Sequence, residues 1–249
     1  MPRFFVDPSD VRDGRVILTG NNAHHAAYAL RLAVGDVVTV CDQVKSYACR
    51  LTRFDGETVE AEVLTEKPCD TEPPYHAVLF QALPKGDKLE IIIQKAVESG
   101  VSEIVPFESS RCVMKSKPDA EDRKTERRAK IAEEAAKQSG RGIIPPVRKT
   151  VTDFKKIIEE AAECDLALFC YEGTGTKALD VVLSQSFTHM KDSIPRIAIV
   201  IGSEGGFSPE EAQAAADAGL CMTGLGPRIL RTETASGFVL ACLAFHFGL

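Results

Sequence analysis

Two short stretches near the carboxyl end combine glycine, carboxylate and guanidinium groups at spacings that suit ligand binding. The first is Gly202-Ser203-Glu204-Gly205-Gly206, and the second is Gly226-Pro227-Arg228-Ile229-Leu230-Arg231. Glycines let a ligand approach the backbone closely, and bare amides and carbonyls can then read its edges. A single Gly-Gly pair is explained as well by a tight turn, but two unusual loops flanking one helix favour a pocket. Other chemistries lack their motifs. No GxxxxGKS/T loop occurs, the first stretch is not GxGxxG, and no GxSxG elbow is present. The histidines, His24, His25, His76, His189 and His246, lie far from Ser203 along the chain. His24 and His25 are adjacent and point to different helix faces, so a shared metal is not expected. The eight cysteines are scattered singly, without a CxxC pair or a histidine at ligand spacing. The expectation is therefore no metal centre, and free thiols in a reducing cytoplasm.

The elements that must carry these loops are legible. The apolar run Ile197 to Ile201 ends at Gly202, the pattern of a buried parallel strand opening into a glycine turn. Ser208-Pro209-Glu210-Glu211 starts a helix, with Ser208 as cap, Pro209 at the first helical position and Glu211 closing a capping box. A short strand is expected from about Leu220 to Leu225, and a last helix from Ala235 to about Phe247. In open α/β sheets ligands bind where strands end, and both loops sit at such ends.

Upstream, the strand and helix signals divide into two kinds. Residues 1–70 read as all-β, with strand-like runs near Val16, Asp36 to Cys41, Tyr47 to Thr52 and Thr58 to Leu64, and one helix from Ala23 to Leu30. Lys67 to Pro74 holds three prolines and marks a linker. Residues 75–249 alternate strands and helices, so a mostly parallel sheet covered by helices is expected there. Predicted strands are Ala77 to Ala82, Glu103 to Phe107 and Asp165 to Tyr171. Predicted helices run from about Leu89 to Gly100, from Ala120 to Ser139, and onward from Asp153.

The chain has 249 residues with 44% hydrophobic, enough for a substantial core, and no apolar run long enough for a membrane span. The amino terminus lacks the apolar stretch of a signal peptide. A net charge of −6 implies no global attraction to nucleic acid, but Arg111 to Lys130 carries eight basic residues against four acidic ones. Such a cluster is commonly a solvated helix face, and it is also where phosphate contacts would be sought. The final helix is apolar nearly all round, from Phe238 to Phe245. A helix without a polar face must be buried on every side; one domain's core could do this, but a helix at the chain end more easily reaches a second subunit, so a homodimer is expected.

The pairing of GSEGGFSPEE with LGPRILRTETA resembles the C-terminal half of the SPOUT methyltransferases, and more narrowly the ribosomal RNA small subunit methyltransferase E family. Further similar stretches run the length of the chain: MPRFFV, HHAAYALRLAVGDVV, QALPKGDKLEIIIQKAVESGVSEIVPFESSRCV and EEAAKQSGRGIIPPV. One departure is Ser203, where the family usually has proline. The resemblance implies an α/β fold with a C-terminal trefoil knot of the SPOUT type and an N-terminal, small, PUA-like β-barrel that positions RNA. It implies S-adenosylmethionine-dependent methylation of uridine N3 in 16S rRNA by a cytoplasmic homodimer that acts on the small ribosomal subunit. By that carry-over the cofactor is held by Phe169, Cys170, Tyr171, Gly202, Glu204, Gly205, Gly206, Leu225, Gly226, Ile229, Leu230, Thr234 and Ala235. Arg231 and Arg228 are the candidate cations beside the developing charge on the base, and Glu233 the group that orients an arginine or accepts a proton. The arginines' alternative role is to pair with Glu204 or Glu233 and hold the loop. The expected RNA contacts are Arg3, Arg31, Lys85, Arg111, Arg127, Arg128, Gln138 and Arg141, and Gln81 lies in a similar motif. Two competing readings are a non-catalytic RNA-binding or ribosome-assembly protein and a methyltransferase acting on another RNA acceptor.

Overall fold

The computed structural model describes residues 1–186 and 194–248; His189 lies outside the described residues. It divides into two compact units, residues 1–72 with 136–144, and residues 73–135 with 145–249.

The first unit is built on a six-stranded sheet of β1 (Arg3–Phe5), β2 (Val11–Arg12), β3 (Arg15–Thr19), β4 (Val37–Cys41), β5 (Lys45–Asp55) and β6 (Thr58–Pro68), in the order β1-β4-β5-β6-β3-β2. All pairings are antiparallel except β1 with β4. Period-two alternation sets the faces: in β3, Val16 and Leu18 are buried while Arg15, Ile17 and Thr19 face out. Phe4, Val38, Val40, Leu51 and Val59 complete that core. The expected helix at Ala23 to Leu30 is instead α1 (Gly20–His24) followed by one π-helical turn, His25–Ala29, closed by Leu30 N donating to His25 O at 2.9 Å. Ala23 and Ala26 face the core, and the small side chains let this segment lie close to the sheet.

In the second unit β7 (His76–Ala82), β8 (Glu103–Phe107), β9 (Leu166–Cys170), β10 (Lys177–Ala178), β11 (Arg196–Ile201) and β12 (Cys221–Gly224) form an all-parallel sheet in the order β10-β12-β9-β11-β7-β8. The helices are α2 (Lys88–Glu98), α3 (Pro118–Ser139), α4 (Phe154–Ala162), α5 (Leu179–Ser186), α6 (Pro209–Asp217) and α7 (Thr232–His246). Strand β11 is central, and Ile197 to Ile201 are buried throughout, as a strand covered on both faces requires. Because β11, β9 and β12 are neighbours and parallel, their carboxyl ends open on one edge. The capping box foreseen at α6 is present: Glu211 N donates to Ser208 Oγ at 3.2 Å, and Ser208 N donates to Glu211 Oε2 at 2.9 Å.

Helix α7 is not buried on every side within the chain. Val239, Leu240 and Leu243 pack inward, but Phe238, Ala241 and Phe245 form an exposed apolar stripe, with Phe245 87% exposed. All eight cysteines are free. Among the described residues no helix is long and apolar enough to cross a membrane, and no cluster of His, Cys, Asp or Glu is arranged to hold a metal.

Candidate functional site

The two glycine loops meet. Residues 202–206 follow β11, residues 225–231 follow β12, and the end of β9 with Tyr171 and Glu172 closes a third side. Together they enclose a cavity of about 210 Å³. The local sequence explains why the walls are bare. Gly206 and Gly226 have φ of +63° and +100°, which a residue with Cβ adopts only under strain. A Cβ on Gly202 would stand 3.2 Å from both Gly206 Cα and the Phe207 ring, a tight approach that would push these neighbours by a few tenths of an ångström. Phe207 is buried and forms the floor, its ring centroid 4.3 Å from that of Phe169 with the planes tilted by 35°.

Of the residues expected to hold a cofactor, Cys170, Tyr171, Gly202, Gly206, Leu225, Gly226, Ile229, Leu230 and Ala235 line this cavity. Phe169, Glu204, Gly205 and Thr234 do not line it. Phe169 lies beneath Phe207, and Glu204 turns outward to meet Lys88. Sequence reasoning missed Glu172, Thr176, Ile201, Ser203, Gly224, Pro227 and Thr232, which also line it. Glu172 and Thr176 sit in a third glycine-bearing loop, and that composition was their only signal. Burial pushes the Cys170 thiol up to about 12, so this wall residue stays protonated and is no nucleophile.

A hydrogen-bond chain fixes the first loop from behind. Gln81, fully buried at the end of β7, donates through Nε2 to Thr232 Oγ1 at 2.9 Å and to Ala82 O at 3.0 Å. The Thr232 hydroxyl in turn donates to Gly202 O at 2.7 Å. Gln81 is thus a strut of the cavity wall. A charged chain holds the outer side. Lys88 Nζ is 3.0 Å from Glu204 Oε1 and 3.3 Å from Glu233 Oε2, and Arg231 Nη1 is 4.0 Å from Glu233 Oε1. The Lys85 amide donates to both Glu204 oxygens at 3.2 Å. Burial pushes the Glu204 carboxyl up, but Lys88 and the backbone amides outweigh it and hold the group below the ordinary carboxylate range. Glu204 raises the Lys88 ammonium in return, against desolvation and with help from Glu233. Arg228 lines the cavity and is exposed.

The eight basic and polar residues expected to touch RNA fall into two groups. Arg128 is 8% exposed, with Nη1 3.0 Å from Glu121 and 3.2 Å from Thr150 Oγ1. Arg141 is 5% exposed and forks onto Glu72, while Arg3 donates to Arg141 O and to Cys41 Sγ, each at 2.9 Å. These three guanidiniums are committed to internal partners and hold the fold. Arg127 is exposed and pairs with Glu90 at 2.8 Å, and Arg111 donates to Gly205 O at 3.1 Å. Arg31, Lys85 and Gln138 are exposed.

Residues 71–244 match a family model described as an RNA methyltransferase domain. A ribosomal RNA small subunit methyltransferase E of Bacillus subtilis (strain 168) is 34% identical over 233 residues, covering 92% of this chain and 89% of that protein. The protein of the same name from Mesomycoplasma hyopneumoniae (strain 232) is 32% identical and covers 96% of this chain and 97% of its own. The crystal structure of a ribosomal RNA small subunit methyltransferase E from Neisseria gonorrhoeae, bound to S-adenosyl methionine, superposes with a TM-score of 0.83 at 29% identity. The match covers 98% of this chain and 97% of that one.

Proposed function

From the premise that the chain belongs to the RNA methyltransferase family, and within it to the ribosomal RNA small subunit methyltransferase E proteins, we propose that it methylates N3 of a uridine in 16S rRNA with S-adenosyl-L-methionine as donor. The observation that carries this reading is the single cavity formed by the two glycine loops at the carboxyl ends of β11 and β12. The cavity fits such a donor. Its glycine walls leave backbone groups bare, Leu225, Ile229 and Leu230 supply apolar surface for a base, and Glu172 and Thr176 add polar groups at one side. When bound, the cofactor supplies a methyl group already activated on a sulfonium. The chain's own task is alignment and charge stabilisation.

Uridine N3 carries a proton and becomes nucleophilic only when that proton leaves. The exposed guanidiniums of Arg228 and Arg231 stand at the second loop, where a cation favours the anionic base. Glu233 stands beside these cations, ion-paired with Lys88 and 4.0 Å from Arg231. The target base must leave its stack to reach the cavity. The exposed side chains of Arg31, Lys85, Arg111, Arg127 and Gln138 are the RNA contacts in this proposal, set by charge and position.

The proposal extends to a SPOUT-type trefoil knot in the second unit, supported by β12 entering the sheet beside β9 after β11 has already paired there. It extends also to a PUA-like barrel for residues 1–70, supported by the mainly antiparallel six-stranded sheet, and to a cytoplasmic homodimer. The Phe238, Ala241 and Phe245 stripe supports the dimer, since a second copy would bury it. Light scattering should give twice the chain mass at micromolar concentration, and the double variant Phe238→Asp/Phe245→Asp should give a monomer.

The deciding experiment is mass spectrometry of 16S rRNA nucleosides from a strain lacking the gene. Loss of one 3-methyluridine, restored by the purified chain and S-adenosylmethionine, is expected. Loss of a different modified nucleoside would move the reading to another acceptor. An unchanged rRNA, together with no heat on titrating millimolar S-adenosylmethionine, would leave an RNA-binding protein.

A further inference from the structure

Lys88 lies in the stretch that begins at Gln81 but was not among its candidate site residues, yet among the described residues it bridges two acidic side chains beside the cavity loops. Glu204 comes from the loop after β11, Glu233 from the first turn of α7, and Lys88 from the first turn of α2. The ammonium lies 3.0 Å from one carboxylate and 3.3 Å from the other. Arg231 is two residues before Glu233, so it is the nearest alternative cation for that carboxylate. It nevertheless stands 4.0 Å away, beyond hydrogen-bond reach, with its side chain 82% exposed. Glu233 by contrast is mostly covered, at 21%. The arrangement is selective: the compact, flexible ammonium takes the covered carboxylates, and the guanidinium is left facing outward.

We propose that Lys88 is a positioning residue, which neutralises Glu233 and Glu204 and so keeps the Arg231 guanidinium available to the substrate base. Without Lys88 the two carboxylates lose their shared counter-ion. Arg231 then closes the short gap to Glu233, and its charge is spent inside the protein. The inference rests on the methyl-transfer reading above for its consequence, but the geometric part stands apart from it. No proton or bond changes hands at Lys88; its effect passes entirely through Arg231.

The test is a double-mutant cycle with two readouts. The first is the rate at which a dicarbonyl reagent modifies Arg231, followed by peptide mass spectrometry, which needs neither cofactor nor RNA. Lys88→Met should slow that modification several-fold, and adding Glu233→Gln should restore it, because a neutral amide no longer holds the guanidinium. Lys88→Arg keeps the positive charge and should leave the rate near that of the wild type. The second readout is methyl transfer to rRNA. Lys88→Met should lower kcat about 10- to 100-fold, with S-adenosylmethionine affinity by calorimetry within about twofold. In the Glu233→Gln background the same change should cost less than about threefold. An unchanged Arg231 modification rate in Lys88→Met overturns the inference, as does an equal loss of kcat in both backgrounds. A wild-type chain that transfers no methyl group, but whose Arg231 slows as described, would overturn the functional reading and leave the role of Lys88 standing.

Discussion

Replacing Thr232 by valine tests whether the buried chain from Gln81 to Gly202 supports the cavity. Valine matches threonine in shape, so the perturbation is the loss of one hydroxyl from a buried residue. That hydroxyl accepts from Gln81 Nε2 at 2.9 Å and donates to Gly202 O at 2.7 Å. Gln81 Nε2 keeps Ala82 O at 3.0 Å, so its loss is the net value of one hydrogen bond, about 1 kcal/mol. Gly202 O loses the donor that this chain provides, and an acceptor stranded in that way costs about 1–2 kcal/mol more. The sum, about 2–3 kcal/mol, should lower the melting temperature by roughly 4–10 °C for a unit of this size. Because Gly202 is a wall of the cavity, about 1.4 kcal/mol of that loss falling on the loop would weaken S-adenosylmethionine binding roughly tenfold. Differential scanning calorimetry and isothermal titration read the two quantities separately. Thr232→Ser restores the hydroxyl and should recover most of both. A Thr232→Val protein that melts with the wild type and binds the cofactor equally would refute the strut.

Other perturbations have equally definite outcomes. Arg231→Ala should abolish methyl transfer while calorimetry shows an unchanged fold and cofactor affinity within about threefold; near-normal turnover would remove Arg231 from the chemistry. Burial raises the Glu121 carboxyl, but hydrogen bonds from Thr150 and Ser116 and the charge of Arg128 bring it down to about 2 from an ordinary 4.5. A depressed carboxylate stabilises the folded chain above its unfolded pKa and loses that contribution as pH falls toward the folded value. Denaturation of Glu121→Gln should therefore lie about 3 kcal/mol below wild type at neutral pH. That gap should close between about pH 4.5 and 2. A gap independent of pH would contradict the assignment. Arg141→Met leaves Glu72 with the Gly142 amide but without its cation and should cost the first unit about 3 kcal/mol in urea unfolding, whereas Lys85→Met, at an exposed side chain, should cost under about 0.5 kcal/mol.

What the sequence disclosed was local, and what it concealed was carried by long-range contact. The capping box at Ser208 and Glu211 and the buried run of β11 follow from neighbouring residues, and both stand where expected. The two glycine loops announced themselves by composition, and they meet in one cavity because β11 and β12 flank β9 with their carboxyl ends on the same edge of the sheet. Thr232 and Gln81 are separated by 151 positions, so no window could pair them. Lys88 drew no reading from the sequence, since only the packing of α2 brings it between Glu204 and Glu233. The basic residues show the converse error. Charge is visible in a sequence, but its partner is not, and Arg128 and Arg141 are consumed by Glu121 and Glu72. The helix at Ala23 to Leu30 was placed correctly in kind but not in form, because a π-helical turn depends on how closely Ala23 and Ala26 approach the sheet. Helix α7 was expected to be covered throughout, and Phe238 and Phe245 are instead exposed in the single chain, because a hydrophobic pattern does not fix what packs against it.

The strand order of the second sheet also governs how the chain acquires its shape. β7 pairs with β8 soon after synthesis, but its other edge waits for β11, more than a hundred residues later. β9 likewise lies unpaired until β11 and β12 arrive on either side of it. At translation speeds of about 5–20 residues per second, these apolar edges stay open for some seconds. Non-local parallel pairing of this kind forms more slowly than local contacts do. The cavity is consequently one of the last features to form, and a nascent chain cut short before β12 has no ligand site at all.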